Sequence, residues 1–399
     1  MIERIYAREV LDSRGFPTVE CEILAGPYFA RASVPSGAST GRREALELRD
    51  GEKRFLGKGV KKACSNINNI IAKKITGMRI NQENIDNKLI EMAGENKQKL
   101  GANATLAVSM AVCKLATLDS GLRIYEHLSN SLKRKSKMPI PLFNIINGGR
   151  HGFGIDFQEY HIIPTKKTFA ENLQSSCDVY HTLKAILIKR FGSASVGDEA
   201  GFTPPLTNVK EPLELIMNAV EECGYAKEFN LGLDVAASTF YKNGYTVEGK
   251  KMGGSELIDL YTNLTKTYPL LYLEDPFHEE DWIAWTELTK KIGDRVKIVG
   301  DDLLCTNPQL IRDAIKKKAC NSLLLKINQI GTISEALNAA KIAIDAKFSV
   351  IVSNRSGESE DSFIADLAVA VGDYCKFGAP AHERTIKYNQ LLRIEEKLK

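Results

Sequence analysis

Four residues share one setting. Asp234, Glu274, Asp301 and Lys326 each follow directly on a short apolar run of strand character. If those runs are neighbouring strands of one sheet, three carboxylates and an amine converge at one edge. Three carboxylates gathered in a low-dielectric mouth repel one another unless a cation neutralises them, and an all-oxygen set of this kind suits Mg²⁺. One acid at a strand end would more simply start a loop or cap a helix, so the argument rests on the repetition. Lys326 closes a Leu-Leu-Leu run. An amine there is partly desolvated, which predicts a lowered pKa and the role of general base, lowered further by a nearby Mg²⁺.

Weaker signals surround these four. Asn354-Arg355-Ser356-Gly357 follows another apolar run, and a guanidinium beside a hydroxyl and a glycine turn can hold a phosphate or carboxylate. Glu199 ends a Val-Gly-Asp-Glu run, and Gln158 precedes Glu159; acids in such polar, glycine-bounded contexts could protonate a leaving hydroxyl. His151 lies in a glycine-rich loop, where a lone histidine is usually just exposed, so it gains weight only from the others. The Pro-Ser-Gly-Ala-Ser-Thr-Gly run at 35–41 lacks the lysine of a Walker A motif and suits a lid that closes over a ligand.

The elements that must position these residues can be read in outline. The five apolar runs ending at Asp234, Glu274, Asp301, Lys326 and Ser353 are spaced roughly 25 to 40 residues apart, which predicts successive βα units and a parallel sheet. Repetition of this length favours a closed barrel, whose active site lies at the C-terminal strand ends, over an open doubly wound sheet. No G-x-G-x-x-G follows a strand. The N-terminal part is mixed, with strands over 2–8, 18–24 and 29–34, a helix capped by Asn81, and a helix over 101–118 whose stretch 101–113 is uncharged and reads as buried. A polar, basic stretch followed by Pro139 and Pro141 marks the boundary between a smaller α+β domain at 1–128 and a barrel domain at 139–399.

Bulk properties agree. The 399 residues carry a formal net charge of +4, which does not argue for nucleic acid or a membrane surface. The 8 cysteines form no C-x-x-C pair and read as reduced, which predicts a cytoplasmic protein.

Taken together the segments resemble enolase. The resemblance runs from the Tyr-Ala-Arg-Glu-Val-Leu-Asp-Ser-Arg-Gly stretch ending at Gly15 to the Leu-Leu-Arg-Ile-Glu-Glu stretch ending at Glu396. Its most specific parts are the run at 34–41, Leu-Glu-Asp-Pro-Phe at 273–277, Leu-Leu-Leu-Lys-Ile-Asn-Gln-Ile-Gly at 323–331 and Arg-Ser-Gly-Glu at 355–358. The resemblance implies an α/β fold, an enolase-type (β/α)8 barrel behind a smaller N-terminal α+β domain. It implies a glycolytic and gluconeogenic enzyme that interconverts 2-phosphoglycerate and phosphoenolpyruvate with two Mg²⁺. Asp234, Glu274 and Asp301 would hold the first ion and Ser39 would help hold the second. Lys326 would remove the proton beside the substrate carboxylate, and Glu199, assisted by Glu159, would protonate the departing hydroxyl. Arg355 and Ser356 would bind phosphate, Lys376 the carboxylate end, and His151 and Gln158 would complete the closed site. A homodimer or higher homo-oligomer is implied, pairing Arg8 with Asp178 and Glu20 with Arg393.

The chain departs from the family pattern in several places. Asn354 stands where histidine is usual, Ala200 where glycine is usual, the 378–384 segment is one residue short, and the usual tail after Glu396 is missing. Asn354 removes a titratable group and keeps a hydrogen-bond donor that could still serve the phosphate. Two other readings remain open on the sequence: a related acid-sugar dehydratase, and a catalytically weakened paralogue with a binding role.

Overall fold

In a computed structural model of the chain, which describes residues 1–37 and 41–398, the first three strands form an antiparallel meander. They are β1 (Arg4–Leu11), β2 (Pro17–Ala25) and β3 (Tyr28–Ser33). The turns between them fall at Gly15 and Gly26, both at positive φ (76° and 57°), where a side chain would be strained. The uncharged stretch forms the helix Ala102–Ser120, and every residue from 102 to 113 is buried. It lies between the meander and the barrel, and the Thr105 hydroxyl donates to the Gly331 carbonyl across that joint (2.8 Å). A helix buried on all sides carries no polar face, which is why its sequence shows no amphipathic period. No single helix is long and apolar enough to cross a membrane.

The rest of the chain builds a closed barrel from β4 (Ile140–Asn147), β5 (Glu159–Pro164), β6 (Phe229–Asp234), β9 (Leu270–Glu274), β10 (Lys297–Gly300), β11 (Ser322–Leu325), β12 (Ser349–Ser353) and β13 (Tyr374–Lys376). A small hairpin, β7 (Tyr245–Val247) with β8 (Lys250–Met252), sits in the connection from β6 to β9. Leu142, Ile163, Tyr272, Val299, Leu324, Ile351 and Tyr374 fill the barrel interior, so it is packed and not a pore.

The parallel sheet read from the spacing holds for most neighbours but not for β5. That strand runs antiparallel to both β4 and β6. The cause is the connection: residues 148–158 join β4 to β5 with no α-helix, only a single 3-10 turn at Gly149–His151, and a right-handed parallel crossover usually needs a dozen or more residues, most often helical. Reversal puts the first residue of β5, Glu159, opposite Asp234, the last residue of β6. An acid that begins a strand thereby reaches the mouth where the other strands end.

The N-terminal part is tied to that mouth. Ser36 and Gly357 exchange backbone hydrogen bonds (2.7 and 2.9 Å), which lays the start of the 35–41 segment across the end of β12. A second tie is deeper. The Asn81 side chain caps the helix Gln82–Ala93, accepting from the Asn84 amide (2.9 Å). From that helix the fully buried Asp86 accepts from the Ser334 amide at the start of the barrel helix Ile333–Asp345 (2.9 Å) and from Gln82 (2.9 Å).

Burial pushes the Asp86 carboxyl above its usual range, against the hydrogen bonds that favour its charged form. A carboxyl raised in the folded state contributes most below its unfolded value and loses that contribution as pH rises through the folded one. Asp86→Asn, whose amide nitrogen can donate to Gln82 Oε1, which has no partner among the described residues, is therefore expected to match or exceed wild-type stability at pH 7. The difference should shrink at pH 5, as urea midpoints at the two pH values would show. A large loss at pH 7 would mean that the charge itself caps the helix.

Candidate active site

Strand direction gathers the chemistry at one end of the barrel. Asp234 closes β6, Glu274 closes β9, Asp301 and Lys326 follow β10 and β11, Asn354 to Ser356 follow β12, and Lys376 closes β13. A small cleft there is lined by His151, Gln158, Glu159, Glu199, Asp234, Asp301, Lys326, Arg355, Ser356 and Lys376, with Asn354 among them. Glu274 lies beneath it, with no exposed surface. Ser39 falls outside the described residues.

Two lysines hold the carboxylates together. The Lys376 ammonium lies 2.8 Å from Glu274 Oε2, 3.0 Å from Glu159 Oε2 and 3.2 Å from Asp234 Oδ2. Gln158 also donates to Asp234 Oδ2 (3.1 Å), and the Tyr272 hydroxyl donates to Glu274. Lys326 pairs with Asp301 Oδ2, while Asp301 Oδ1 accepts from Gln329 (2.8 Å). One ammonium cannot neutralise three acids. Burial and the Asp234 charge push Glu274 well above the usual carboxylate range despite Lys376, and its Oε1 has no partner among the described residues.

The expected lowering of Lys326 is not what the structure shows. Burial does act to lower it, but the adjoining Asp301 carboxylate prevails and raises it. Asp301 mirrors this: burial alone would raise it, and the Lys326 charge holds it below the usual range. Desolvation was legible from the apolar run; the ion pair, formed with a residue on another strand, was not.

On the opposite side stand the glutamates. Glu199 sits on the 197–202 loop, which is clamped to the barrel by three backbone hydrogen bonds: Phe202 to Ile145 (2.9 Å), Asn147 to Phe202 (2.7 Å) and Ala379 to Glu199 (3.0 Å). Its buried Oε2 has no partner among the described residues. Ala200, next to it, takes a left-handed backbone (φ 64°), and Tyr180 donates to its carbonyl (2.8 Å). That conformation costs an alanine roughly 1–2 kcal/mol and a glycine little. Glu159 would be raised by burial, but the charge of Lys376 and bonds from His151 and His161 hold it well below its usual range. His161 Nε2 lies 2.9 Å from Glu159 Oε2 and His151 Nδ1 lies 3.4 Å from Oε1. His151 is thus not the exposed loop histidine that its sequence setting suggests. Its side chain is 7% exposed, and although burial acts to lower it, Glu159, Glu199 and Asp234 raise it.

The third wall carries Arg355, Ser356 and Asn354. The Arg355 fork grips Glu44 of the N-terminal part (3.0 and 3.2 Å) and also donates to Asn328 (2.9 Å). The Asn354 amide does not point a free donor into the cleft. In the orientation that satisfies both its ends, the nitrogen donates to the Lys376 carbonyl (2.9 Å) and the oxygen accepts from Arg384 (2.6 Å).

Several residues here were not singled out from the sequence. Asp275 accepts from the Asp301 and Asp302 amides (2.9 Å each), fixing the end of β10, and these three acids can bring one oxygen each within 4.8 Å of one another. Burial and Asp301 push Asp302 up to about 7. The acid doublets at 274–275 and 301–302 were a visible signal, as was His161, two positions beyond Glu159 and so on the same face of the strand. His151, Glu159 and Glu199 form a second such cluster. Glu44 gave no local signal.

Comparison with known proteins agrees with this arrangement. Residues 2–128 match the family described as enolase, N-terminal domain, and residues 135–399 match enolase, C-terminal TIM barrel domain. The chain is 51% identical over 410 residues to an enolase of Thermococcus gammatolerans, covering 100% of this chain and 95% of that protein. It is 50% identical over 407 residues to one of Pyrococcus furiosus, covering 99% and 94%. It is 48% identical over 420 residues to one of Mastigamoeba balamuthi, covering 100% and 96%. By its barrel, by both matched domains and by half-identity along its whole length, the chain belongs to the enolase family.

Proposed function

We propose that this chain catalyses the reversible dehydration of 2-phospho-D-glycerate to phosphoenolpyruvate in the cytoplasm, with residues 1–128 capping a barrel at 139–399. The observation that carries the reading is one cleft that joins a lysine at a strand end, a buried glutamate with an unpartnered oxygen, and an arginine-serine pair.

The donors suit a divalent cation such as Mg²⁺. Asp234, Glu274 and Asp301 offer only oxygen, the Lys376 ammonium is shared among Glu159, Asp234 and Glu274, and Glu274 Oε1 lacks a partner among the described residues. These three acids would hold the first ion, and Ser39 would contribute to the second. When bound, Mg²⁺ supplies charge stabilisation at the substrate carboxylate as the adjacent proton leaves. A lysine base with one or two Mg²⁺ is the pattern the wider superfamily uses.

The chain's own groups divide the remaining work. Lys326 takes the C2 proton. To accept it, the amine must be neutral, so it must first leave the Asp301 contact that holds it charged. Glu199 gives a proton to the departing C3 hydroxyl. Glu159, kept ionised by Lys376 and two histidines, fixes Lys376 and His151 around the substrate and supports Glu199 through their shared cluster. Arg355 exchanges the Glu44 carboxylate for the substrate phosphate, an anion of matching fork geometry, with the Ser356 hydroxyl beside it. Lys376 meets the substrate carboxylate, and Gln158 and His151 close that end.

We further propose a homodimer. Tyr6, Leu11 and Phe29 leave 46%, 61% and 51% of their surface exposed on the N-terminal meander, which suits an apolar interface. Within one chain Arg8 pairs with Glu20 and Glu22, and Asp178 accepts from Tyr225 (2.9 Å). The pairs of Arg8 with the partner copy's acid and of Glu20 with its arginine would therefore form by exchange. Exposed pairs of this kind contribute little, so the apolar residues should dominate. Light scattering at micromolar concentration is expected to give twice the chain mass; a monomer would refute the dimer.

Two substitutions test the site. Lys326→Ala should abolish Mg²⁺-dependent turnover and the exchange of the substrate C2 proton with solvent while leaving substrate binding nearly intact. Exchange at the wild-type rate would remove Lys326 as the base. Lys376→Met leaves three buried acids without their common cation and should cost about 3–5 kcal/mol of stability in metal-free buffer. Added Mg²⁺ should restore part of that loss. Urea midpoints that match wild type without metal would show that Lys376 does not carry the charge balance.

A further inference from the structure

We propose that Arg384 is a positioning residue that sets the spacing between the phosphate-binding and proton-donating ends of the site while leaving the base alone; this rests on the roles assigned above to Arg355, Ser356 and Glu199. Arg384 ends a short turn, His382–Arg384, just before the final helix Thr385–Leu398, and it has no exposed surface. Burying a guanidinium is costly unless its donors are met. Here they are met mostly by main chain. Nη1 donates to the Arg355 carbonyl (2.7 Å) and to the Asn354 side-chain oxygen (2.6 Å). Nη2 donates to the Ser356 carbonyl (2.6 Å) and to the Asp198 carbonyl (2.8 Å). Nε lies 2.7 Å from the Glu383 carboxylate as an ion pair but makes no hydrogen bond among the described residues.

Those carbonyls belong to two segments far apart in sequence. Arg355 and Ser356 carry the anion-binding side chains, and Asp198 precedes Glu199. One rigid planar group thus bridges the backbones of both loops, and its fork cannot be reproduced by the single ammonium of a lysine. Two neighbours extend the bridge. The Asn354 nitrogen donates to the Lys376 carbonyl (2.9 Å), linking the end of β13. Gly378, at φ 82°, lies so close that an added Cβ would sit 3.1 Å from Arg384 Cγ and 2.9 Å from the Glu199 carbonyl oxygen. By contrast, the Lys326 amide donates to Thr306 (3.0 Å) and its ammonium pairs with Asp301, and neither is among the hydrogen-bond partners of Arg384 in the described residues.

This separation makes the role testable. In Arg384→Lys the anion loop and the acid loop lose their common bridge while Lys326 keeps its surroundings. Dehydration of 2-phosphoglycerate should fall at least about tenfold and its KM should rise, while C2 proton exchange at saturating substrate stays within about threefold of wild type. Equal loss of both rates would mean only that less enzyme is folded, and it would overturn the proposal, as would two unchanged rates. If Arg384→Lys does not fold, Asn354→Leu decides. It removes the side-chain oxygen on Nη1 and should show the same split, smaller but in the same direction; the absence of a split there overturns the proposal. Glu199→Gln is measured in parallel. Turnover surviving Glu199→Gln removes the acid assignment and the proposal with it. Turnover lost in Glu199→Gln but normal in Arg384→Lys removes the positioning role alone.

Discussion

The Lys376 ammonium, set among Glu159, Asp234 and Glu274, is the contact on which the rest of the mouth depends. Bringing these carboxylates together in a closed barrel would be prohibitively repulsive without it, since charges a few ångströms apart interact strongly away from water. The same crowding leaves the arrangement short of positive charge. Lys326 is consumed by Asp301, Arg355 by Glu44, and Glu274 remains pushed toward its neutral form. Such a deficit of positive charge favours a cation at this mouth.

The reversed β5 makes that crowding geometrically possible. In an all-parallel barrel a strand contributes to the catalytic face only through its last residues. Reversal lets Glu159 enter from the start of a strand and stand opposite Asp234. His161, two positions on, then points the same way and reaches the Glu159 carboxylate. One antiparallel strand therefore adds an acid and its supporting histidine to a face already occupied by neighbouring strand ends.

What could be read in the sequence follows from how local each signal is. Asp234, Glu274, Asp301 and Lys326 announce themselves because an apolar run and its terminal polar residue are adjacent in the chain. The buried helix Ala102–Ser120 is legible for the same reason. The direction of β5 is not, because hydrophobic patterning specifies which faces are buried and not which way a strand runs; only the short connection at 148–158, too short for a crossover helix, hints at it. The sign of the Lys326 shift is equally hidden, since two opposing effects act and the larger comes from Asp301. Glu44 and Arg355, which pair across 311 positions, carry no local trace of one another.

Three of the four departures from the family pattern fall together. Ala200 adjoins Glu199, Asn354 adjoins Arg355, and the shortened 378–384 segment ends in Arg384, so all three meet at one joint between the acid loop, the anion loop and the final helix. Each leaves a physical mark there. Ala200 is held in a left-handed conformation that a glycine would adopt freely, and so is His382, at φ 54°. Asn354 spends both ends of its amide inside the joint instead of offering one to the cleft. A longer segment or a larger imidazole would change how the Arg384 guanidinium sits, so these positions are coupled through a shared partner and their effects should not add. Asn354 is then better understood as part of a repacked joint than as a lost active-site charge. Arg355, whose backbone this joint holds in place, keeps its guanidinium charge at the cleft.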